Sequence, residues 1–171
     1  MGKPMRHRTK KSGVYVLTLQ GRKKGVFRKA QTFARIFESP SLEKIDVIKA
    51  GVAPDVVEDL ADAMGAPQEA VIRNLGIVKS TWSRKRQQKV PLEKDESERL
   101  MGLAALIGQV AALVREQGAA QGFDAARWFH KWIEEPLPAL SGRKPAELLD
   151  TKEGQQVVAD LIGAIRGGAY L

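Results

Sequence analysis

Between Leu100 and Val114 the chain runs through fifteen residues in which Gln109 is the one strongly polar side chain. Asp95, Glu96 and Glu98 precede the run, acids of the kind that favour a helix N-terminus, and the helical reading extends to about Gln117. Leu100, Leu103, Ala104, Ile107, Val110, Ala111 and Val114 fall on one face, with Met101, Leu106 and Leu113 beside it. A helix without a polar face has to be covered on several sides, so every other element must be arranged around this one. Gly102, Ala105, Gly108 and Ala112 would let a second backbone approach closely. Two covers remain open, the chain's own helices or the same helix of a second copy. A membrane is not the expected cover, because the run is shorter than the roughly 20 residues that a span needs.

The rest of the chain supplies helices to do the covering. Apolar spacing predicts a helix over residues 26–37, then one from Leu42 to Ala50 stopped by Gly51, and one over Pro54–Met64 stopped by Gly65. After the long helix and a break at Gly118–Gly122, Phe123–Glu135 reads as a helix carrying Trp128, Phe129, Trp132 and Ile133, with Asp124 as its cap. A Pro136–Gly142 loop follows, then a short turn over Pro145–Leu149. A last helix starts at Asp150 or Thr151 and runs to about Arg166, where Gly167 and Gly168 end it. Val14–Leu19, β-branched and aromatic, reads as a short strand. The fold class expected is therefore mostly α, with that one N-terminal strand.

Pro67–Val90 carries the clearest motif. The helical run around Val71–Leu75 stops at Gly76, and a second run, Lys79–Gln88, holds Lys79, Arg84, Lys85 and Arg86. Helix, glycine turn and basic helix form the pattern of a helix-turn-helix, whose second helix enters the major groove. Val71, Leu75, Ile77 and Trp82 fall where the two helices must pack. Lys79, Ser80, Ser83, Arg84 and Gln87 share the opposite face, as helix neighbours at i+3 and i+4 do. Arginine can pair bidentately with guanine and glutamine with adenine; these five and Arg86 are the expected DNA contacts. A basic hairpin that merely packs and keeps a solvated face is the plainer alternative. Ile72 and Lys85 depart from the pattern, standing where a small and an apolar residue are usual.

The net charge of +8 is concentrated at one end. Eleven of the 28 Lys/Arg but one of the 20 acids precede residue 41, so the first forty residues carry +10 and the remaining 131 carry −2. Residues 1–40 thus read as a basic arm, suited to a polyanion or simply solvated. With no cysteine, disulfides, thiolate-bound zinc and thiol catalysis are excluded, and a reducing cytoplasm is the expected compartment. No apolar stretch follows the basic start, so no signal peptide is expected. Catalysis finds no constellation either. Adjacent Glu134 and Glu135 diverge by about 100° on a helix, and His130 on its aromatic helix reads as a packed or surface histidine. No metal or cofactor is expected, and the chain reads as a non-enzyme.

The C-terminal third resembles a known family. Ala126 and Trp128, the Pro138-Ala139-Leu140 run with Gly142 and Pro145, and Leu148, Leu149, Thr151 and Gly154 match the toxin-binding domain of the Xre/MbcA/ParS antitoxins. Val158, Leu161, Ile165 and Gly168 continue the match, and residues 45–65 and 76–86 resemble the same family's helical entry and Xre-type helix-turn-helix. The resemblance implies a mostly helical antitoxin that dimerises, binds its own operon's promoter and blocks a RES-domain toxin, an enzyme that destroys NAD. The basic arm over 1–40 lies outside the match, which divides the rest into a DNA-binding and dimerisation domain over 41–117 and a toxin-binding domain over 118–171. Trp128, Trp132, Arg143, Lys144, Arg166, Gly168, Tyr170 and Leu171 are then the expected toxin contacts, tryptophan and arginine being frequent interface anchors. Two other readings stand beside it. One is a stand-alone regulator whose C-terminal half only dimerises; the other is an RNA- or membrane-surface-binding basic protein.

Overall fold

The computed structural model describes residues 31–118 and 121–166 of the chain. Eight helices occur among them: α1 (Gln31–Glu38), α2 (Ser41–Ala50), α3 (Asp55–Met64), α4 (Gln68–Asn74), α5 (Lys79–Gln88), α6 (Lys94–Glu116), α7 (Ala125–Ile133) and α8 (Lys152–Arg166). Two 3-10 turns, Pro138–Leu140 and Pro145–Leu148, link α7 to α8. No strand occurs among the described residues. The expected strand at Val14–Leu19 lies outside them, as do the basic leader, Gly168, Tyr170 and Leu171.

The uncovered-face problem of the long helix is solved by the chain itself. Helices α1, α2, α7 and α8 all pack on α6. Leu100, Leu103, Ala104 and Ile107 have no exposed surface, and Met101, Leu106 and Val110 are nearly as buried. By length and composition α6 could cross a membrane, yet its apolar faces are taken up by its neighbours. Its expected role as a dimer seam therefore loses its motive. The small residues do what their size allows. A Cβ at Gly108 would collide with the Phe33 carbonyl, so α1 crosses α6 closely only because position 108 is glycine. A Cβ at Gly102 would likewise collide with the Gln155 side chain of α8.

Helix α1 had been grouped with the basic arm on charge, but it belongs to the body. Phe33 and Ile36 are buried, and Arg115 of α6 holds Glu38 at 2.6 Å. The packed structure thus begins no later than residue 31, ten residues before the boundary that charge suggested. Helix α6 starts in a capping box: the Glu93 N–H donates to Glu96 Oε2 at 2.7 Å, satisfying a donor that a helix end otherwise leaves orphaned. The two modules named by the resemblance share one apolar core, in which Leu60, Leu75, Phe129, Ile133, Leu149 and Ile162 join the α6 residues.

Candidate DNA-binding and protein-binding faces

Helices α4 and α5 form the expected helix-turn-helix. The turn passes through Gly76 at φ +61°, a left-handed conformation that a glycine adopts without the Cβ clash other residues suffer. Val71, Ile72, Leu75, Ile77 and Trp82 are buried at the packing side. Ile72 is accommodated in that core despite its size. The Trp82 indole N–H donates to the Pro54 carbonyl at 3.0 Å, which seats α5 against the start of α3.

On the outer side Ser80, Ser83, Arg84 and Gln87 are exposed. No side-chain bond to another described residue holds any of the four, so their donors and acceptors face solvent. Lys79 is also exposed and pairs with Glu69 of α4 at 3.1 Å, both side chains being more than half accessible. The backbone amide near Glu69, then the Lys79 hydrogen bond and charge, hold the Glu69 carboxyl below its usual pKa. Such an exposed pair contributes little to stability.

Arg86 is placed differently from the other expected DNA contacts. Its guanidinium binds Glu58 at 2.6 Å and Asp55 at 3.3 Å and lies 5.3 Å from the centre of the Trp82 ring. It fastens α5 to α3, and the outward row consists of the remaining five. Lys85, the residue standing where an apolar one is usual, is 6% exposed. Its ammonium reaches Glu96 at 2.7 Å and Glu93 at 3.1 Å, the two residues of the α6 capping box. Burial pulls the Lys85 pKa down, but the bonds and charges of Glu96 and Glu93 outweigh it and leave the pKa above the usual lysine value. A lysine thus substitutes for an apolar residue by ion-pairing the recognition helix to the central helix.

The second face is built on α7. Asp124 caps it as expected, accepting from the Arg127 N–H at 3.0 Å. Phe129 and Ile133 are fully buried. Trp128 and Trp132 stack at 5.7 Å with planes 11° apart, and Phe123 lies 6.2 Å from Trp128. Trp132 is 9% exposed, so it supports the surface from beneath, and the half-buried Trp128 is the tryptophan that reaches it. Trp128 also borders a small apolar pocket of about 150 Å³ with Phe123, Val114, Ile162 and Ile165. Arg143 is exposed on the loop between the 3-10 turns, its Nε 3.5 Å from the Leu140 carbonyl. Lys144 pairs with Glu134 at 3.3 Å. Arg166 ends α8. Of the expected contacts, Trp128, Arg143 and Lys144 thus reach the surface, while Gly168, Tyr170 and Leu171 fall outside the described residues.

The two faces are wired together behind the surface. Arg99 of α6 donates from Nε to the Leu75 carbonyl at 2.7 Å, at the helix-turn-helix corner. Gln155 of α8 donates to the Arg99 carbonyl at 2.9 Å and to the Leu149 carbonyl at 2.8 Å. Gly76 faces Asp150 across the same joint. Nothing in the sequence pattern singled out Arg99 or Gln155; only their long-range partners reveal them. No cluster of three or more His, Asp or Glu residues able to hold a metal occurs among the described residues.

Comparison with known proteins matches the two segments of the chain that contain α5 and α7. Residues 43–105 match the family model for the antitoxin Xre-like helix-turn-helix domain, and residues 118–168 that for the antitoxin Xre/MbcA/ParS C-terminal toxin-binding domain. A Sphingobium sp. (strain YBL2) protein named Prs ADP-ribosylating antitoxin is 37% identical over 138 residues, 81% of this chain and 87% of the relative. Antitoxin Xre of Yersinia enterocolitica (serotype O:8 / biotype 1B) is 29% identical over 126 residues, 74% of this chain and 80% of that protein.

Proposed function

The chain belongs to the Xre/MbcA/ParS antitoxins, and on that premise we propose that it neutralises a RES-domain, NAD-consuming toxin with its α7–α8 face while α5 represses the operon encoding the pair. It acts by binding, without chemistry of its own. The observation that supports the DNA half is the outward row of Ser80, Ser83, Arg84 and Gln87 on the second helix of the motif, which no side-chain bond ties to another described residue. Hydroxyls, a guanidinium and an amide at that spacing suit base edges and phosphates. Trp128 over the stacked Trp132, with Arg143 on the neighbouring loop, supports the protein-binding half.

The name of the Sphingobium relative speaks of ADP-ribosylation of Prs. ADP-ribosyl transfer and NAD destruction both break the bond between nicotinamide and ribose. A toxin of either kind therefore presents an NAD pocket, and we assign Tyr170 and Leu171 of this chain to that pocket or its entrance. The test is co-expression with the neighbouring reading frame. The two products should co-purify, cellular NAD should be preserved only when both are present, and the purified pair should bind the promoter ahead of both genes. A chain that binds the promoter but captures no neighbouring product would instead be a stand-alone regulator.

A further inference from the structure

We infer that Val78 reads a base, closing on the C5 methyl group of a thymine in the major groove. Val78 immediately precedes α5 in an extended conformation (φ −72°, ψ 124°), and its carbonyl accepts the Trp82 N–H at 3.0 Å. Serine, threonine, aspartate and asparagine are preferred at this place, because their side-chain oxygen caps the first helix amides. The valine forms no side-chain cap bond, and α5 has no acid in its first turn. After Gly76 the chain carries Ile77 into the core and leaves Val78 64% exposed. The other exposed valine beside α5, Val90, is explained by the far end of the helix. Its N–H donates to the Lys85 carbonyl at 2.9 Å and the Lys89 N–H to the Arg86 carbonyl at 3.2 Å, a C-terminal cap that an apolar residue frequently completes. Val78 closes no such cap, so an unfavourable residue stands exposed where the recognition helix begins.

The surroundings select what the side chain meets. Lys79, Ser80, Ser83 and Arg84, which follow it on α5, are all exposed and polar. A protein partner would call for further apolar side chains around the valine, since the core of such an interface is depleted of charge. The other large exposed apolar residues, Phe37, Leu42, Ile45 and Val157, lie on α1, α2 and α8 instead. A major groove presents the matching pattern: donors and acceptors along its floor, interrupted by one apolar group, the thymine methyl. In a helix-turn-helix the N-terminal residues of the second helix are the ones that reach base edges, and Val78 stands at that end. A β-branched side chain is also stiff at χ1, so it loses little freedom when its methyls close on a third. RNA does not fit the same reading, because uracil lacks the methyl and side chains cannot read the narrow A-form major groove.

The inference rests on the proposed repressor reading and adds a base to what that reading predicts of the operator. The test replaces each thymine of the promoter duplex in turn by deoxyuridine, which removes the methyl and nothing else. Binding of the full chain should weaken by about fourfold, the factor that burying one methyl supplies, at one position or at two related by the operator's symmetry. Val78→Ser and Val78→Ala should bind the unmodified duplex about fourfold more weakly and be indifferent to that same replacement, while Arg84→Ala stays sensitive to it. Val78→Ser supplies the capping hydroxyl, so its melting temperature should not fall and its weaker binding cannot come from unfolding. A wild type indifferent to every replacement, or a Val78 variant that still loses the full factor, would overturn the assignment. Either result, beside a wild type that prefers its promoter to random duplex, leaves the repressor reading standing; a wild type without that preference removes both.

Discussion

Helices α5 and α7, which carry the two proposed binding faces, are fastened to the same core by opposite means. Helix α7 buries Ala125, Ala126, Phe129, Trp132 and Ile133, an apolar stripe with an aromatic stack at its edge. Helix α5 buries only Trp82 and Lys85, and ion pairs do the rest: Lys85 to Glu93 and Glu96, Arg86 to Asp55 and Glu58. A helix that must meet a polyanion cannot spend its length on apolar residues, so its inner face uses cations matched to internal carboxylates. A helix that meets a protein can be apolar on both sides. The comparison implies that α7 answers mainly to packing changes, and α5 to charge, salt and pH.

Mutations ordered by expected effect can break that contrast. Phe129→Ala should destabilise the fold by about 3–5 kcal/mol, the range for emptying a buried aromatic site, as read by chemical denaturation. Lys85→Ala should cost about 3 kcal/mol, because it leaves Glu96 buried without its cation. Lys85→Met combined with Glu96→Gln should recover much of that loss, whereas a simple packing role for Lys85 would give no such recovery.

The Lys85 pair also sets a pH dependence. Its folded pKa lies above its unfolded value of about 10.4, so folding favours the protonated form. Its contribution is complete below that value and is lost as the pH rises through the folded pKa. Amide exchange or Trp82 fluorescence should therefore report loosening of α5 in that alkaline range while α7 holds. Simultaneous loosening of both would contradict the distinction. In DNA binding, Arg84→Ala should cost about 1–3 kcal/mol at one base pair of the operator and relax the preference there. Lys79→Ala, the smallest effect, should weaken all duplexes alike and flatten the salt dependence by about one unit of slope; a change confined to one base pair would make Lys79 a reader instead.

What could be read from the sequence divides along the same line. The outward row of α5 is a spacing of three and four, visible in the string of letters, and its members are where that spacing puts them. Lys85 and Arg86 are not legible that way. Their partners lie eight and eleven residues on, at Glu93 and Glu96, and about thirty residues back, at Asp55 and Glu58. Trp128 and Trp132 stand four apart on one helix, and only the position of α6 and α8 decides that Trp132 supports while Trp128 faces outward. Charge counting misplaced α1, because Arg35 sits between the buried Phe33 and Ile36 on a helix whose Phe33 carbonyl and Phe37 Cβ close on Gly108. The long helix was legible as needing cover, but not which elements would supply it, since that is a property of chain path and not of composition.

The central claim is that the α5 and α7–α8 faces serve different partners and can be lost separately. One crossed measurement addresses it most directly: promoter binding and toxin neutralisation, assayed side by side on Arg84→Ala and on a chain truncated after Arg166. The Arg84 variant should lose operator preference yet keep cells and their NAD alive beside the toxin. The truncated chain should bind the operator as wild type does and fail to protect. Loss of both activities in either variant, with the fold intact, or protection by the truncated chain, would contradict the account.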